Sequence, residues 1–478
     1  MTTNCDPPYK KNIQGLILRG YTHPFSSHLL FSFTNPENPS PDTKAFFKAL
    51  YPRVQSAEDW GDQKPANMLN IGLPYKGIQA LNVMDVPSLA AFPAEFSAGP
   101  WSQGSQSSLG DNGAGAPSKW WYGNFQNNEL HCVVHAYGLT QSDLDGLIAF
   151  VSNAAQDNGL RELFALQNEE RLTQTQLPND EIHFGYRDGI SEPDLNWSGR
   201  LGVPDQSDLN NFLIGYPNGS IIQPGPSQAG DAAAFAKDGC YNAFRILYQD
   251  VAAFNTFLEQ QAGIWAKQIG LSQEQAQEWI AARLMGRWRN GSPTMLSPDE
   301  PDLCTQEGEN FGYVEQNDSS QFQDVNSGFK CPFSAHTRVA NPRNEDLFAT
   351  EGSSGPPRII RRGMAYGPPL KSTTDDGVDR GLIGLFLCGS PAQQFEKLYS
   401  WMNANNFSSV FDPFLSPQDA VLGNRDTQGG QVGTNFLIPD AKVSGGITLG
   451  ALPQFIVTRG TSYCLLPSLA SLRLIAGL

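Results

Sequence analysis

Histidine is scarce in this sequence, and paired cysteine motifs are missing from it. Only six histidines occur in the 478 residues: His23, His28, His131, His135, His183 and His336. The seven cysteines are scattered and form no CxxC or CxxCH motif. Their pattern argues against a disulfide framework, a zinc ribbon and covalent attachment of a c-type haem. A reducing cytoplasm is the setting that fits such cysteines best.

Long apolar runs are missing as well. The longest ones, such as Leu382–Cys388, are far shorter than a membrane span. The first residues, MTTNCDPPYKKNIQG, contain neither the apolar segment of a secretory signal nor a twin arginine. We therefore expect a cytoplasmic chain without a membrane partner.

Positive charge is in deficit. Lysine and arginine number 32 against 48 aspartates and glutamates, which gives a formal net charge of −16. An acidic surface repels phosphate backbones, so a nucleic-acid partner is not expected. Neither GxSxG nor HExxH occurs, which leaves a hydrolase without motif support.

What the sequence does contain is typical of a globular protein with two to three domains. Apolar residues make up 40% of the chain, and its length exceeds that of one ordinary core. Residues 15–17, 28–33 and 130–137 predict strands, and 98–118 and 217–231 predict linkers or surface loops.

Helical spacing follows the predicted strand at 130–137. Ser142 is a candidate cap for a helix with apolar residues at Leu144, Leu147, Ile148 and Val151. Residues 250–286 predict a longer helical region, and the last forty residues return to strands and turns. This succession favours α+β domains.

Two histidine segments are candidates for metal ligation. His131 and His135 share one face of a predicted strand, although histidines in an apolar strand are more often structural. His336 lies in KCPFSAHTRVANPRN, where Arg338 and Arg343 add positive charge that would suit the carboxylates of a haem. A lone histidine is usually a structural residue, so the local residues leave both readings open.

Two further segments carry charged side chains in unusual settings. In HFGYRDGISEPDL, Asp188 stands between Gly185 and Gly189, which permits either a simple turn or a general base close to a flat cofactor. In RIIRRGMAYGP, Arg361 and Arg362 point to opposite sides if the segment is extended. One of them would then enter a pocket, although a solvated basic run is the alternative.

Together these segments resemble the dye-decolorizing peroxidase family. FGYRDG at 184–189 is similar to its GxxDG motif, CPFSAHTRVANPR at 331–343 to its proximal-histidine segment, and IIRRGMAYG at 359–367 to its distal-arginine segment. Other stretches agree in the same order along nearly the whole chain. The longer members, including cyanobacterial and fungal types, are the most similar.

The resemblance implies a fold, a cofactor and partners. It implies an α+β protein with two ferredoxin-like domains, residues 1–197 and 198–478, each an antiparallel sheet with peripheral helices. Haem b would be held mainly by the C-terminal domain. Hydrogen peroxide and aromatic or dye reducing substrates are the implied partners, and a monomer or homodimer is expected.

It also implies roles for individual residues. His336 matches the axial ligand of the haem iron, Asp188 the distal acid–base, and Arg361, rather than Arg362, the distal arginine. Arg338 matches a propionate partner. The carboxylate that accepts the histidine N–H matches Asp419, and the aromatic side chain of the distal pocket matches Phe386.

One position departs from the family pattern. Gly384 stands in LIGLF where an aliphatic residue is usual. Either the strand register shifts there or the pocket loses an apolar wall.

Because carboxylates stay ionised in mild acid that would protonate an imidazole, a distal aspartate predicts best activity at acidic pH. Bulky dyes would react at a surface Tyr or Trp, which the sequence does not single out.

The main rival is a haem-binding or haem-storage protein without enzymatic activity on the same scaffold. It would share His336 but would not need Asp188 and Arg361. The presence of both favours the enzyme.

Overall fold

The structure is a computed structural model that describes residues 9–34, 41–198, 206–216, 225–226, 230–305, 308, 310–314, 325–345, 357–403, 418–425, 435–440, 442–450 and 452–478. The loop predicted over 217–231 lies mostly outside these ranges. No helix within them combines the length and the apolar character needed to cross a bilayer.

Strands, most of them in antiparallel pairings, form the frame of the molecule. Their bounds are β1 Phe25–Phe33, β2 Asn67–Pro74, β3 Cys132–Gly138, β4 Leu160–Leu163, β5 Leu172–Thr175, β6 Leu195–Asn196, β7 Ser207–Asp208, β8 Cys240–Gln249, β9 Ile360–Arg361, β10 Met364–Tyr366, β11 Gly381–Cys388, β12 Phe436–Ile438, β13 Ile447–Leu449 and β14 Ile456–Leu466. Within the described residues, ten of them join in one sheet, while β6 with β7 and β12 with β13 form separate pairs. The strands predicted at 28–33 and 130–137 are confirmed as parts of β1 and β3.

The hydrogen-bonded ladder of the large sheet returns to its starting strand. Its order is β5-β1-β3-β2-β14-β8-β11, and β10 pairs with both β11 and β5. Strands β1 and β8 are buried along almost their whole length. A strand covered on both faces needs no alternation of polar and apolar residues, which explains sequences such as CYNAFRILYQ.

Helices cover the faces of the sheet. Their bounds are α1 Gly15–Leu18, α2 Pro41–Leu50, α3 Tyr75–Leu81, α4 Val86–Leu89, α5 Ala94–Ala98, α6 Gln103–Leu109, α7 Gln141–Asp157, α8 Asp231–Ala236, α9 Val251–Ile269, α10 Gln273–Met285, α11 Val325–Lys330, α12 His336–Ala340, α13 Lys397–Asn403 and α14 Leu469–Ile475. A π-helical turn, Pro391–Glu396, leads into α13. The mixture of helices and antiparallel strands agrees with the predicted class at this coarse level.

Each half of the chain contributes a continuous group of strands. The N-terminal half supplies β4-β1-β3-β2, and the C-terminal half supplies β14-β8-β11-β9. The two groups meet where β2 pairs with β14, and β5 of the N-terminal half pairs with β10 of the C-terminal half. The sheet is therefore continuous across the predicted boundary at residue 197.

Two predictions in the N-terminal half were wrong. Residues 15–17 form part of the helical turn α1, which the backbone N–H of Arg19 closes by donating to Gly15 O at 3.2 Å. The preceding Gln14 donates its side-chain amide to the carbonyls of Ile71 and Pro467. The segment 98–118 is not a linker. It contains α6, and Asp111 within it is buried in an ion pair with Arg245.

Helix boundaries also differ from the predicted ones. Thr140, not Ser142, caps α7, in a reciprocal capping box with Asp143. The helical region predicted over 250–286 is two helices, because Gly270 ends α9 in the left-handed conformation and Ser272 caps α10. The C-terminal segment ends in helix α14 as well as in strands.

Candidate active site

One cavity gathers four of the predicted site residues. Asp188, His336, Arg361 and Phe386 all line it, although they are distributed over almost two hundred residues of sequence. Much of the remaining wall is apolar, and includes Phe184, Leu247, Met285, Leu382, Leu398, Met402, Val421 and Ile456. The cavity thus combines a large apolar surface with a few polar groups, as ligand sites do.

A tight turn positions Asp188. Gly185 and Gly189 adopt φ values of 81° and 76°, the left-handed region that favours glycine. A Cβ at Gly185 would lie 2.4 Å from a guanidinium nitrogen of Arg289, so that guanidinium would have to move to admit a side chain. The backbone N–H of Asp188 donates to Asp180 O at 2.8 Å. Asp188 therefore lies in a tight turn and also lines the cavity, so the two interpretations of this motif do not exclude each other.

Strand register places Arg361 beside the cavity. In the pairing of β9 with β11, Arg361 lies opposite Phe386. Its Nη1 lies 3.4 Å from Asp188 Oδ1. Arg362 points elsewhere: it does not line this cavity, and its Nε donates to Leu16 O at 3.2 Å. The two neighbouring arginines thus diverge, as an extended segment requires.

Gly384 leaves room for the ring of Phe386. Strand β11 pairs with β8 in unbroken register through Gly384, so the predicted alternative of a register shift was wrong. A Cβ at Gly384 would lie 2.4 Å from Phe386 Cε2 and 2.5 Å from its Cζ. The half-buried aromatic ring therefore takes the space that an aliphatic side chain would occupy and serves as the wall there.

His336 is held through one ring nitrogen. It opens helix α12, and its Nδ1 lies 2.7 Å from Asp419 Oδ2. The other carboxylate oxygen of Asp419 accepts the backbone N–H groups of Val421 and Leu422 at 2.8 and 2.9 Å. Among the described residues, His336 Nε2 has no hydrogen-bond partner, which leaves that nitrogen available as a ligand.

Arg338 does not reach the cavity. Its fully buried guanidinium forms a paired contact with Glu345 and donates to Cys331 O at 2.6 Å. The rings of Tyr313 and Phe333 lie 4.5 and 4.4 Å from it. Arg338, which the resemblance matches to a propionate partner, therefore lies outside the residues that line the cavity, and Glu345 balances its charge inside the protein.

Other arginines line the cavity instead. Arg287 Nη2 and Arg343 Nη2 donate to Ser191 Oγ at 3.0 and 3.3 Å, and Arg358 Nη2 lies 3.5 Å from Ser191 O. All three line the same cavity. Of these three arginines, only Arg343 was named from the sequence, as a positive charge near His336. No local pattern connected Arg287 or Arg358 with the site.

The remaining histidines do not assemble a metal centre. His131 Nδ1 accepts the backbone N–H of Phe33 at 2.9 Å, and His135 Nδ1 lies 3.0 Å from His28 Nδ1. His28 Nε2 in turn lies 2.7 Å from Gln174 Oε1. In the described part of the chain, no group of three or more His, Cys, Asp or Glu side chains could hold a metal ion.

The residues of the cavity fit a haem. An imidazole held by a buried carboxylate through its other nitrogen is a common haem and metal ligand, and the carboxylate makes it more basic. Apolar walls suit the faces of a porphyrin, and Arg287, Arg343 and Arg358 suit its carboxylates. A single imidazole with no further protein ligand nearby suits a metal that a macrocycle already coordinates.

Comparisons with curated sequences and with solved structures both give dye-decolorizing peroxidases as similar proteins. No family model matches the chain. The dye-decolorizing peroxidase msp1 of Mycetinis scorodonius is 28% identical over 441 residues, which cover 86% of this chain and 76% of that protein. A dye-decolorizing peroxidase of Mycena epipterygia is 28% identical over 436 residues, or 87% and 77% of the two chains.

Solved structures give the same picture. An ancestral D-type dye-decolorizing peroxidase superposes with a TM-score of 0.79 at 25% identity, covering 98% of this chain and 99% of the other. A dye-decolorizing peroxidase in complex with 2,6-dimethoxyphenol superposes with a TM-score of 0.76 at 25% identity, covering 98% and 100%. A third, described by its engineered heme pocket, has a TM-score of 0.74 at 25% identity and covers 98% and 99%.

Proposed function

We propose, from its similarity to dye-decolorizing peroxidases, that this chain reduces hydrogen peroxide to water and oxidises dyes, phenols and other one-electron donors. The observation that carries the proposal is the shared cavity of His336, Asp188 and Arg361. A storage protein would need the imidazole alone, whereas a peroxidase also needs a base and a cation where peroxide binds.

We further propose haem b as the cofactor, because the chain lacks the CxxCH motif of covalent attachment. His336 Nε2 would bind the iron, and the arginines around Ser191 would bind the propionates. When bound, the haem supplies the redox chemistry: it takes two oxidising equivalents from peroxide and passes them to donors one at a time.

The chain's own residues manage protons and charge. The Asp188 carboxylate takes a proton from one oxygen of hydrogen peroxide and returns it to the departing oxygen, which leaves as water. The Arg361 guanidinium stabilises negative charge that develops on that oxygen. Asp419 accepts the Nδ1 proton of His336, which keeps the ring oriented and its other nitrogen electron-rich.

At the level of the fold, we propose that each half of the chain is a ferredoxin-like unit. The strand orders β4-β1-β3-β2 and β14-β8-β11-β9 support this. Within each half, strands and helices also follow one another along the chain as in a βαββαβ unit. The bulk of the haem-lining residues named above come from the C-terminal half, and Asp188 comes from the N-terminal half.

Stopped-flow mixing of the haem-loaded protein with hydrogen peroxide tests the proposed function. We expect a fast change in the Soret band, slowed about 100-fold or more in Asp188→Asn and in Arg361→Leu. A matched control is Asp194→Asn, which removes an exposed carboxylate outside the cavity. If both site variants keep the full rate with peroxide, the chain is not a peroxidase of this type.

A further inference from the structure

We propose that Glu192 is the positioning residue of the distal arginine, an inference that rests on the proposed function. One oxygen of the Glu192 carboxylate accepts Arg361 Nε at 3.0 Å. The other accepts the backbone N–H of the same arginine at 2.9 Å. A single carboxylate thus joins the main chain and the side chain of Arg361 and restricts the torsions between them.

The same carboxylate also holds the neighbouring arginine. Arg362 Nη1 lies 3.3 Å from Glu192 Oε2, the oxygen that accepts the Arg361 backbone N–H. Burial lowers the pKa of Arg362, and the charge of Glu192 opposes that shift. Glu192 therefore organises two side chains that leave the strand in opposite directions.

Arg361 needs such a tether because packing does not enclose it. Its side chain is 38% exposed, and it separates two cavities. The first is the cavity described above. The second, here called the outer cavity, is lined by Asp188, Arg361, Arg362 and Glu192 together with Tyr21, Tyr137, Glu181 and other residues. An arginine in this position would otherwise sample several rotamers, and ordering it costs conformational entropy.

The contact distances indicate which carboxylate is the main partner of Arg361. Its Nε–Glu192 contact is 3.0 Å, whereas its Nη1–Asp188 contact is 3.4 Å, longer than a typical charge-assisted hydrogen bond. Arg361 Nη2 also donates to Ile190 O at 2.6 Å. Glu192 therefore balances the charge of Arg361 at shorter range than Asp188 does, and Asp188 keeps only the longer contact, through Oδ1.

Fluoride binding to the ferric haem form measures this role without turnover. An oriented Arg361 donates to a bound anion, so we expect Glu192→Ala to weaken fluoride binding about tenfold and Glu192→Gln to weaken it less. The reaction with hydrogen peroxide should slow in the same order. The direction is diagnostic: if Glu192 acted only through its charge, removing that charge would strengthen anion binding.

Two controls isolate the effect. Glu181→Gln removes a negative charge from the wall of the same outer cavity, and the described contact of that side chain is with Asn179, not with either arginine. It should leave fluoride binding unchanged or slightly tighter. In an Arg361→Leu background, Glu192→Ala should no longer weaken fluoride binding, because a positioning residue has no effect once its target is gone.

The outcomes distinguish the inference from the proposed function. If the parent chain takes up no haem, the proposed function fails and the inference fails with it. If the parent binds haem and fluoride, but Glu192→Ala and Glu192→Gln bind fluoride as tightly as the parent does, only the role of Glu192 is overturned. A change in melting temperature without a change in fluoride affinity would likewise assign Glu192 a purely structural role and overturn the inference.

Discussion

A missing side chain at Gly384 shapes the cavity wall beside Arg361. Because a Cβ there would overlap the Phe386 ring, Gly384→Ala must displace that ring. The ring packs against Phe395 at a centroid distance of 5.3 Å, which limits its retreat and favours movement into the cavity. We expect the variant to react more slowly with a bulky peroxide, such as cumene hydroperoxide, than with hydrogen peroxide, relative to the parent.

The ratio of the two second-order rate constants measures this effect, since any general loss of haem or folding cancels in the ratio. The double variant Gly384→Ala with Phe386→Leu should recover most of the original ratio, because leucine is smaller than phenylalanine and leaves room for the alanine Cβ. An unchanged ratio in the single variant would mean that the ring does not limit access.

Asp419 is the buried carboxylate that holds the proposed haem ligand His336. It is 1% exposed, and its oxygens are shared between His336 and two backbone N–H groups. Asp419→Asn retains the size but presents an amide to His336 Nδ1, so the ring loses a charged acceptor. We expect haem affinity to fall about 10- to 100-fold, measured as faster transfer of haem to an excess of an apo-globin. Transfer at the parent rate would contradict this role.

At the scale of elements, helix α12 is too short to be stable alone. It has five residues, and the buried pair of Arg338 with Glu345 links it to the segment that follows. Burial raises the pKa of Glu345, and Arg338 opposes that shift. The pair therefore orders the helix that carries His336, which is a structural task different from the propionate contact that the sequence resemblance implied.

Variants of this pair separate the two roles. Arg338→Met leaves a buried carboxylate without its partner, so we expect a loss of about 3–5 kcal/mol in the free energy of unfolding. Adding Glu345→Gln should recover much of that loss and also the haem affinity. Urea unfolding and haem titration provide the measurements. If stability recovers in the double variant but haem affinity stays low, Arg338 contributes to haem binding directly.

The strengths of sequence prediction differ between elements for physical reasons. Strands β1 and β3 were predicted because a buried strand is a compact apolar run, and α7 because its apolar residues follow helical spacing. The turn α1 was mistaken for a strand because the three residues 15–17 are too few to show a period. The ordered segment around Asp111 looked like a linker because its order depends on Arg245, which is 134 residues away.

The candidate site shows the same division. Asp188, His336 and Arg361 stand in distinctive local motifs, so the sequence singled them out. The choice between Arg338 and Arg343 depends on tertiary contacts, because Arg338 pairs with the buried Glu345 whereas Arg343 lines the cavity and contacts Ser191. No local pattern distinguishes the two arginines. Glu192 is likewise identified only by its hydrogen bonds to Arg361, which lies 169 residues further along the chain.

At the scale of the whole molecule, acid should act on stability through buried histidines. Burial lowers the pKa of His28 and of His131 from 6.5 to about 4, and it lowers the pKa of His135 as well. The folded chain keeps these rings neutral, whereas the unfolded chain protonates them near pH 6.5. Stability that is fully present above pH 6.5 is therefore lost as the pH falls towards 4.

Each shift of this size corresponds to roughly 3 kcal/mol, so we expect the urea midpoint of unfolding to fall clearly between pH 7 and about pH 4.5. His28→Gln and His131→Gln should each flatten the pH dependence of the urea midpoint, because glutamine does not titrate.

The proposed role of Asp188 favours activity in acid, whereas the folded chain is less stable there. Initial rates should therefore peak at a lower pH than product yields after long incubation. A urea midpoint that stays constant or rises on acidification would show that these rings are protonated in the folded protein too, and the two pH optima should then coincide.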